Sequence, residues 1–216
     1  DLLPDNSDYH NGTASFYDIT AGLSHKFNEN NSLHINGYYS KDAFKFSIDT
    51  SYRYENINAS AKWRSNFGDR NSMEIVVGYD KYGYATIDRH NPATSYDMSF
   101  KVAQGRGKMK FRSVLSDSHT LVYGAEALHY NLMPGAYLPY GEESAVTPKV
   151  LDAEKAVEGA AFISDTWNIT DKFSLDYGLR FSMFNSDKFY GGPEWRLSGR
   201  YMISDHLSLK GGFNSM

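Results

Sequence analysis

The sequence predicts an all-β protein, specifically an antiparallel transmembrane β-barrel of about ten up-and-down strands. Apolar residues recur at every second position through most of the chain, brief polar clusters interrupt those runs at intervals, and the connections between successive hairpins are long, polar and rich in aromatic residues. Trimmed turns at one end of a sheet and elaborated connections at the other are the asymmetry of a membrane barrel.

The short turns are written plainly in the sequence. Phe27 and Leu33 flank Asn28-Glu29-Asn30-Asn31-Ser32, and Phe67 and Met73 flank Gly68-Asp69-Arg70-Asn71-Ser72. Leu115 and Leu121 flank Ser116-Asp117-Ser118-His119-Thr120, Ile169 and Phe173 flank Thr170-Asp171-Lys172, and Ile203 and Leu207 flank Ser204-Asp205-His206. Asn, Asp, Gly and Ser are the residues that stabilise tight reversals.

The strands between them have two distinct faces. Tyr17, Ile19, Ala21, Leu23 and Phe27 share one face with His25, against Asp18, Thr20, Gly22, Ser24 and Lys26. Leu33, Ile35, Gly37 and Tyr39 continue the apolar face, then Ile57, Ala59, Ala61, Trp63 and Phe67, then Met73, Ile75, Val77 and Tyr79. Met109, Phe111 and Leu115 match Leu121, Tyr123, Ala125 and Ala127, and the last three strands present Phe173 to Phe181, Trp195 to Ile203 and Leu207 to Phe213 on alternate positions. A slip of one residue would put Lys62 and Arg64 where Trp63 belongs, so the pattern specifies register. In the strand around Ala160 to Ile169, the face carrying Ile163, Trp167 and Ile169 also carries Asp165; a bulge or a lumenal carboxylate would restore the phase, and the sequence leaves the facing of Asp165 open.

Composition fits this reading. The chain has 216 residues and a formal net charge of -4. Its mean hydropathy is -0.55, and nothing in it resembles the run of about 18 apolar residues that a membrane helix needs. Barrel strands need only about 9–11 residues with one apolar face, so a low average is expected. Aromatics are 15% of the chain, with 17 Tyr and 13 Phe, an excess that interfacial girdles account for. With 0 Cys, disulfides and thiolate metal sites are excluded, and the near-neutral charge gives no reason to expect nucleic acid.

The segment Phe162 to Phe181, with its Thr170-Asp171-Lys172 turn followed by Gly178-Leu179-Arg180-Phe181, resembles a hairpin of TonB-dependent outer-membrane receptors. Gly192-Pro193-Glu194-Trp195-Arg196-Leu197-Ser198-Gly199-Arg200-Tyr201, followed by Ser208 to Asn214, is similar to the next segment of Bacteroidetes-type members. The resemblance implies a bacterial outer-membrane location and a wall segment of a transporter for energised uptake of a scarce ligand, whether siderophore, cobalamin-like molecule or glycan. It implies outer-membrane lipid, TonB acting through an N-terminal plug, and further barrel strands or partner chains as partners. Residues 1–216 are expected to be one barrel segment, with plug and remaining strands absent. The stretch from Asp1 to Ser15 reads as long-connection sequence and the chain stops just after a rising strand, which supports that expectation.

Candidate functional residues fall in two groups. Tyr137 and Tyr140, in the segment Asn131 to Gly141 read as a loop, and Tyr190 in Phe189-Tyr190-Gly191-Gly192 offer rigid amphipathic area for stacking on a sugar or chelate; packing between neighbouring loops is an equal reading. Lys62, Arg64, Lys108, Lys110, Arg112, Arg180, Arg196 and Arg200 point to the lumen, where they attract an anionic ligand or, more commonly, pair with inward Asp and Glu. The seven His lie at 10, 25, 34, 90, 119, 129 and 206, with no metal-ligand spacing, and Asp88-Arg89-His90 lacks a nucleophile, so neither metal, cofactor nor catalysis is expected. Two alternatives remain open: a complete small ten-stranded porin or enzyme barrel, and a soluble β-sandwich binding module. The sandwich would have to bury Lys62, Arg64, Lys110 and Arg112 in a dry interior.

Overall fold

The computed structural model describes residues 12–45 and 49–215. They form one 11-stranded antiparallel sheet. Its strands are β1 (Thr13–Asn28), β2 (Asn31–Lys45), β3 (Thr50–Phe67), β4 (Asn71–Asp88), β5 (Tyr96–Val114) and β6 (His119–Pro139), followed by the short β7 (Lys149–Val150), β8 (Glu154–Thr170), β9 (Phe173–Asn185), β10 (Phe189–Ser204) and β11 (Leu207–Asn214). Neighbours in sequence are neighbours in the sheet, except that β7 lies off the path against β6 and β6 pairs onward with β8. Residues 1–11 of the N-terminal stretch expected to be connecting sequence lie outside the described residues.

All five short turns stand where the polar clusters put them. Their side chains take up the backbone N–H groups that the reversal frees. Asn28 Oδ1 accepts from the Asn30 amide at 2.9 Å, Ser116 Oγ from the His119 amide at 3.2 Å and Thr170 Oγ1 from the Phe173 amide at 3.0 Å. Gly68 has a φ of 66°, which a side chain would strain.

Register keeps each face continuous from strand to strand. Leu23 lies opposite Ile35, Ile35 opposite Ala61, Ala61 opposite Val77, and Ile75 opposite Met109. Tyr123 lies opposite Ile163, Ile163 opposite Leu179, and Leu179 opposite Trp195. This apolar face is bare: Leu179 is 62% exposed, Leu23 61% and Val77 51%. Among the described residues Ile87 and Ala160 are the only buried hydrophobic side chains. Such a continuous apolar surface is the signature of a face that meets something other than water. No second layer covers it, so the sandwich alternative is corrected: a single sheet has no dry interior. Nor does the sheet close, for β1 pairs only with β2 and β11 only with β10 among the described residues, which removes the closed ten-stranded alternative.

One further expectation is corrected. The elaborated side consists largely of strand. β6 runs on to Pro139 and pairs with β5 as far as Tyr96, so Tyr137 stands in a strand and Tyr140 directly after one; Tyr190 lies in β10. The connection between β9 and β10 is only residues 186–188. Beyond the bilayer neither face meets lipid, so the alternation of hydropathy fades there although backbone pairing continues. Pro134, which lacks an N–H, sits at the irregularity where the register with β5 shifts between Ser99 and Lys101. The facing of Asp165, open in the sequence, is decided by its pairing. Its register with Leu121 and Tyr177 is unbroken, so neither a bulge nor a lumenal position restores the phase: the carboxylate stays on the apolar face.

Candidate functional site

The opposite face carries the predicted basic residues, and it carries their counter-charges at cross-strand positions. Glu74 lies between Arg64 and Lys110, with Arg64 Nε 2.8 Å and Lys110 Nζ 3.5 Å from its carboxylate. Glu126 joins β5 to β9 through Lys108 at 2.9 Å and Arg180 at 2.6 Å, and Arg180 also reaches Glu194 at 3.6 Å. Arg196 lies 3.7 Å from Asp176 and donates to Ser164 Oγ at 3.0 Å. Asp80 collects Arg106 at 3.9 Å, Gln104 at 3.2 Å and the amide of Asn58. Five of the eight predicted cations, Arg64, Lys108, Lys110, Arg180 and Arg196, are therefore engaged by acids of the same face. Lys62, Arg112 and Arg200 make no ion pair among the described residues; Lys62 lies opposite His34 and Val76, Arg112 opposite Ser72 and Val122, and Arg200 opposite Ser174 and Lys210. Among the described residues the face is a largely self-compensated wall, with Lys62, Arg112 and Arg200 outside its ion pairs.

Nearer the elaborated end this same face becomes aromatic. Tyr54 lies opposite Tyr84, and Tyr84 opposite Phe100. Their ring centroids are 5.1 Å and 5.2 Å apart respectively, Phe44 approaches Tyr54 at 6.1 Å, and Tyr82 approaches Phe100 at 5.8 Å. Further along, Tyr96 and Tyr137 pack at 4.9 Å. Burial against these neighbours raises the Tyr84 phenol above its ordinary value, with Tyr54 and Tyr52 adding to the effect; Tyr96 is raised by burial and then by Asp88. The signal was present in the sequence as aromatics in the polar phase: Tyr52, Tyr54, Tyr82 and Tyr84 all occupy even positions, where Asn58, Lys62 and Asp80 also stand.

Of the three tyrosines singled out beforehand, Tyr137 belongs to this surface through Tyr96. Tyr140 is held locally: Arg89 stacks over its ring at 4.6 Å and its amide donates to the Ser95 carbonyl at 3.1 Å, so it packs one connection against another. Tyr190 stands apart on β10, 60% exposed, opposite Phe184. The structure does not bring the three together. Among the described residues no group of three His, Cys, Asp or Glu is placed to hold a metal ion.

Solved structures with the same fold are barrels of outer-membrane receptors. The ferripyoverdine receptor of Pseudomonas aeruginosa superposes with a TM-score of 0.75 at 12% identity, over 96% of this chain and 36% of that one. The ferric preacinetobactin receptor of Acinetobacter baumannii gives 0.70 at 14% identity, over 96% and 40%, and the FrpB iron transporter of Neisseria meningitidis gives 0.71 at 12% identity, over 93% and 37%. The chain thus spans well under half the length of each of these proteins. No curated protein matches it in sequence. The model of the TonB dependent receptor-like β-barrel family matches residues 1–215. With that match over nearly its whole length, the chain belongs to the TonB-dependent receptor β-barrel family of the bacterial outer membrane.

Proposed function

We propose that residues 1–216 are one wall segment of a TonB-dependent transporter that takes up a scarce ligand, with the lumen-facing aromatic surface of Tyr54, Tyr84, Phe100, Tyr96 and Tyr137 as its contribution to ligand capture. The observation that carries this reading is the placement of those rings. They stand on the lumenal phase of β3 to β6, above the charged wall, on the side where membrane barrels carry their extracellular connections. Aromatic faces supply large contact area with little entropy to lose, and they stack on sugar rings and on the aromatic arms of chelates alike. A ferric siderophore is the ligand class that agrees with the ligands of two similar structures, ferripyoverdine and ferric preacinetobactin, and a cobalamin-like molecule or a glycan uses the same surface chemistry.

In this reading the rest of the barrel continues from the free edges of β1 and β11, a plug fills the lumen against the charged wall, and TonB drives release through that plug. Lys62, Arg112 and Arg200, which make no ion pair among the described residues, then face plug or water. The similarity of residues 192–214 to Bacteroidetes-type members supports assignment to that branch of the family.

The test uses the full-length receptor in detergent. Binding of a ferric catecholate siderophore, a ferric hydroxamate siderophore, cobalamin and a maltooligosaccharide is measured by calorimetry for wild type and for Tyr84→Ala and Tyr54→Ala. One probe binding with Kd in the micromolar range or tighter, weakened about tenfold by either substitution, supports the proposal. Unchanged affinity in both variants for every probe that binds would remove the aromatic surface from ligand capture.

A further inference from the structure

The outward face changes character abruptly above the apolar band. On β3 the band runs from Phe67 to Ile57, about 25 Å of height for ten residues at about 3.3 Å per residue and a barrel-like tilt, which is the thickness of the lipid-facing zone. The next outward residues are Glu55 and Arg53. On β2, Lys41 follows Tyr39; on β4, Lys81 follows Tyr79; on β5, Lys101 follows Ala103; on β8, Lys155 follows Val157. Register gathers them: Lys41 lies opposite Glu55, Arg53 opposite Ala43 and Ala85, Lys81 opposite Ile57 and Ala103, and Lys101 opposite Gly83.

The acid that lies among these cations, Glu55, is engaged by Lys81 at 3.0 Å, and the next outward acid, Asp97, stands four residues beyond Lys101 on β5. Lys41, Arg53 and Lys101 are exposed and make no ion pair among the described residues. The residues between the cations are small. Gly83, Ala43, Ala85 and Ala103 leave low relief, and a Cβ at Gly83 would meet nothing nearer than Lys101 Cγ at 3.8 Å. Below them Tyr17 and Tyr39, with ring centroids 6.2 Å apart, mark the edge of the apolar zone.

The distribution is one-sided. On the outward phase of the long strands, every Lys or Arg among the described residues lies toward the elaborated end, and the short-turn end carries His25, Ser65, Ser113 and His119 but no Lys or Arg. Solvent alone would not sort cations to one end. A bilayer whose two leaflets differ in headgroup charge does, and in an outer membrane the leaflet on the extracellular side is the one built of phosphorylated glycolipid.

We propose that Lys41, Arg53, Lys81, Lys101 and Lys155 form a lipid-facing belt that binds the phosphate groups of an anionic glycolipid of the outer leaflet, whose acyl chains lie on Ile57, Tyr79 and the band below. Arg53 offers a planar fork of donors to a phosphate and the lysines offer point charges on stems that reach up from the apolar surface. The saccharide lies over the small residues between them. This inference depends on the outer-membrane location and is independent of the ligand proposed above.

The experiment uses delipidated full-length receptor in detergent, with purified phosphorylated glycolipid from Gram-negative outer membranes, the same glycolipid after enzymatic dephosphorylation, and phosphatidylglycerol as probes, read by native mass spectrometry. The triple variant Lys41→Glu, Arg53→Glu, Lys101→Glu and a milder triple Gln variant are compared with the lumen-facing Lys26→Glu, each first checked for the heat-modifiable gel mobility of a folded barrel. Wild type and Lys26→Glu are expected to retain phosphorylated glycolipid at least tenfold better than dephosphorylated, with the preference lost in the triple Glu variant and reduced in the Gln variant. Retention by the triple variants equal to wild type overturns the proposal. So does equal binding of the dephosphorylated glycolipid, or equal binding of phosphatidylglycerol.

Discussion

Nδ1 of His119 lies 2.7 Å from Oδ2 of Asp165, on the face of the sheet that is otherwise apolar. The Tyr177 hydroxyl donates to the same oxygen at 2.9 Å, and His119 stacks on Trp167 at 5.5 Å. A carboxylate on the lipid face is costly unless it is paired, and here three adjacent strands supply the pairing, leaving its side chain only 11% exposed. Removing the acid alone strands two polar groups. Asp165→Ala is therefore expected to destabilise the folded receptor by about 1–3 kcal/mol, the usual cost of orphaned partners. Replacing the whole cluster by apolar residues (Asp165→Leu with His119→Phe and Tyr177→Phe) is expected to recover most of that loss. Urea unfolding of the full-length receptor in lipid vesicles checks both; a triple variant less stable than Asp165→Ala would refute the cluster account.

Glu126 makes a different prediction because it serves two cations at once. Its carboxylate meets Lys108 with one oxygen and Arg180 with the other. Truncating Lys108 leaves Glu126 with Arg180, whereas truncating Glu126 leaves two positive charges side by side on the lumenal wall. Glu126→Ala is expected to cost about 1 kcal/mol more than Lys108→Ala, a modest difference because the group borders lumenal water. The gap should shrink in 1 M salt, where the Debye length is about 3 Å. Chemical denaturation at low and high ionic strength measures it.

Legibility in the sequence followed the environment of each residue. Between Phe27 and Leu33, or Phe67 and Met73, the turn chemistry and the apolar phase agree, and the hairpins form there. Where β6 rises past Asn131, neither face touches lipid, the alternation carries no hydropathy, and the paired strand reads as a loop; hence Tyr137 looks like a loop residue although it stands in β6. The lumenal basics were legible as a face, but which acid meets which cation depends on cross-strand register over three or four strands. Asp165 broke the phase because its partners, His119 and Tyr177, are 46 and 12 residues away. The aromatic surface was missed because a Tyr in the polar phase looks like an ordinary lumenal residue until Tyr54, Tyr84 and Phe100 are seen to be neighbours.

Tyr84 gives a pH prediction whose sign is fixed by burial. Its phenol is raised because the folded protein disfavours the phenolate beside Tyr54 and Tyr52. The folded state therefore holds this proton more tightly than the unfolded chain does. The resulting stabilisation is complete below the unfolded value near pH ~10 and is lost as pH rises through the raised folded value. Ultraviolet titration of wild type against Tyr84→Phe should show the missing transition above that of free tyrosine. Ionisation of Tyr84 at or below the ordinary value would contradict the packing of this surface.

Gly124 and Gly107 lie on neighbouring strands but on opposite faces, and they should respond oppositely to a methyl group. At Gly124 a Cβ would stand 2.1 Å from the Met109 carbonyl oxygen, 3.0 Å from the Phe162 ring and 3.1 Å from Lys110 Cα. Two of those atoms are backbone of the adjacent strand, so β5 and β6 would have to part locally, weakening ladder pairing beside Lys108 and Glu126. Gly107, on the apolar face, has nothing within 4 Å. Gly124→Ala is expected to cost about 1–3 kcal/mol, in the range of other overpacking changes. Gly107→Ala should be neutral or stabilising by up to about 1 kcal/mol, since alanine is less free than glycine in the unfolded chain and adds apolar area toward lipid. Unfolding midpoints of the two full-length variants decide it: equal effects would mean that β5 and β6 are not as closely set at Gly124 as the Met109 contact requires.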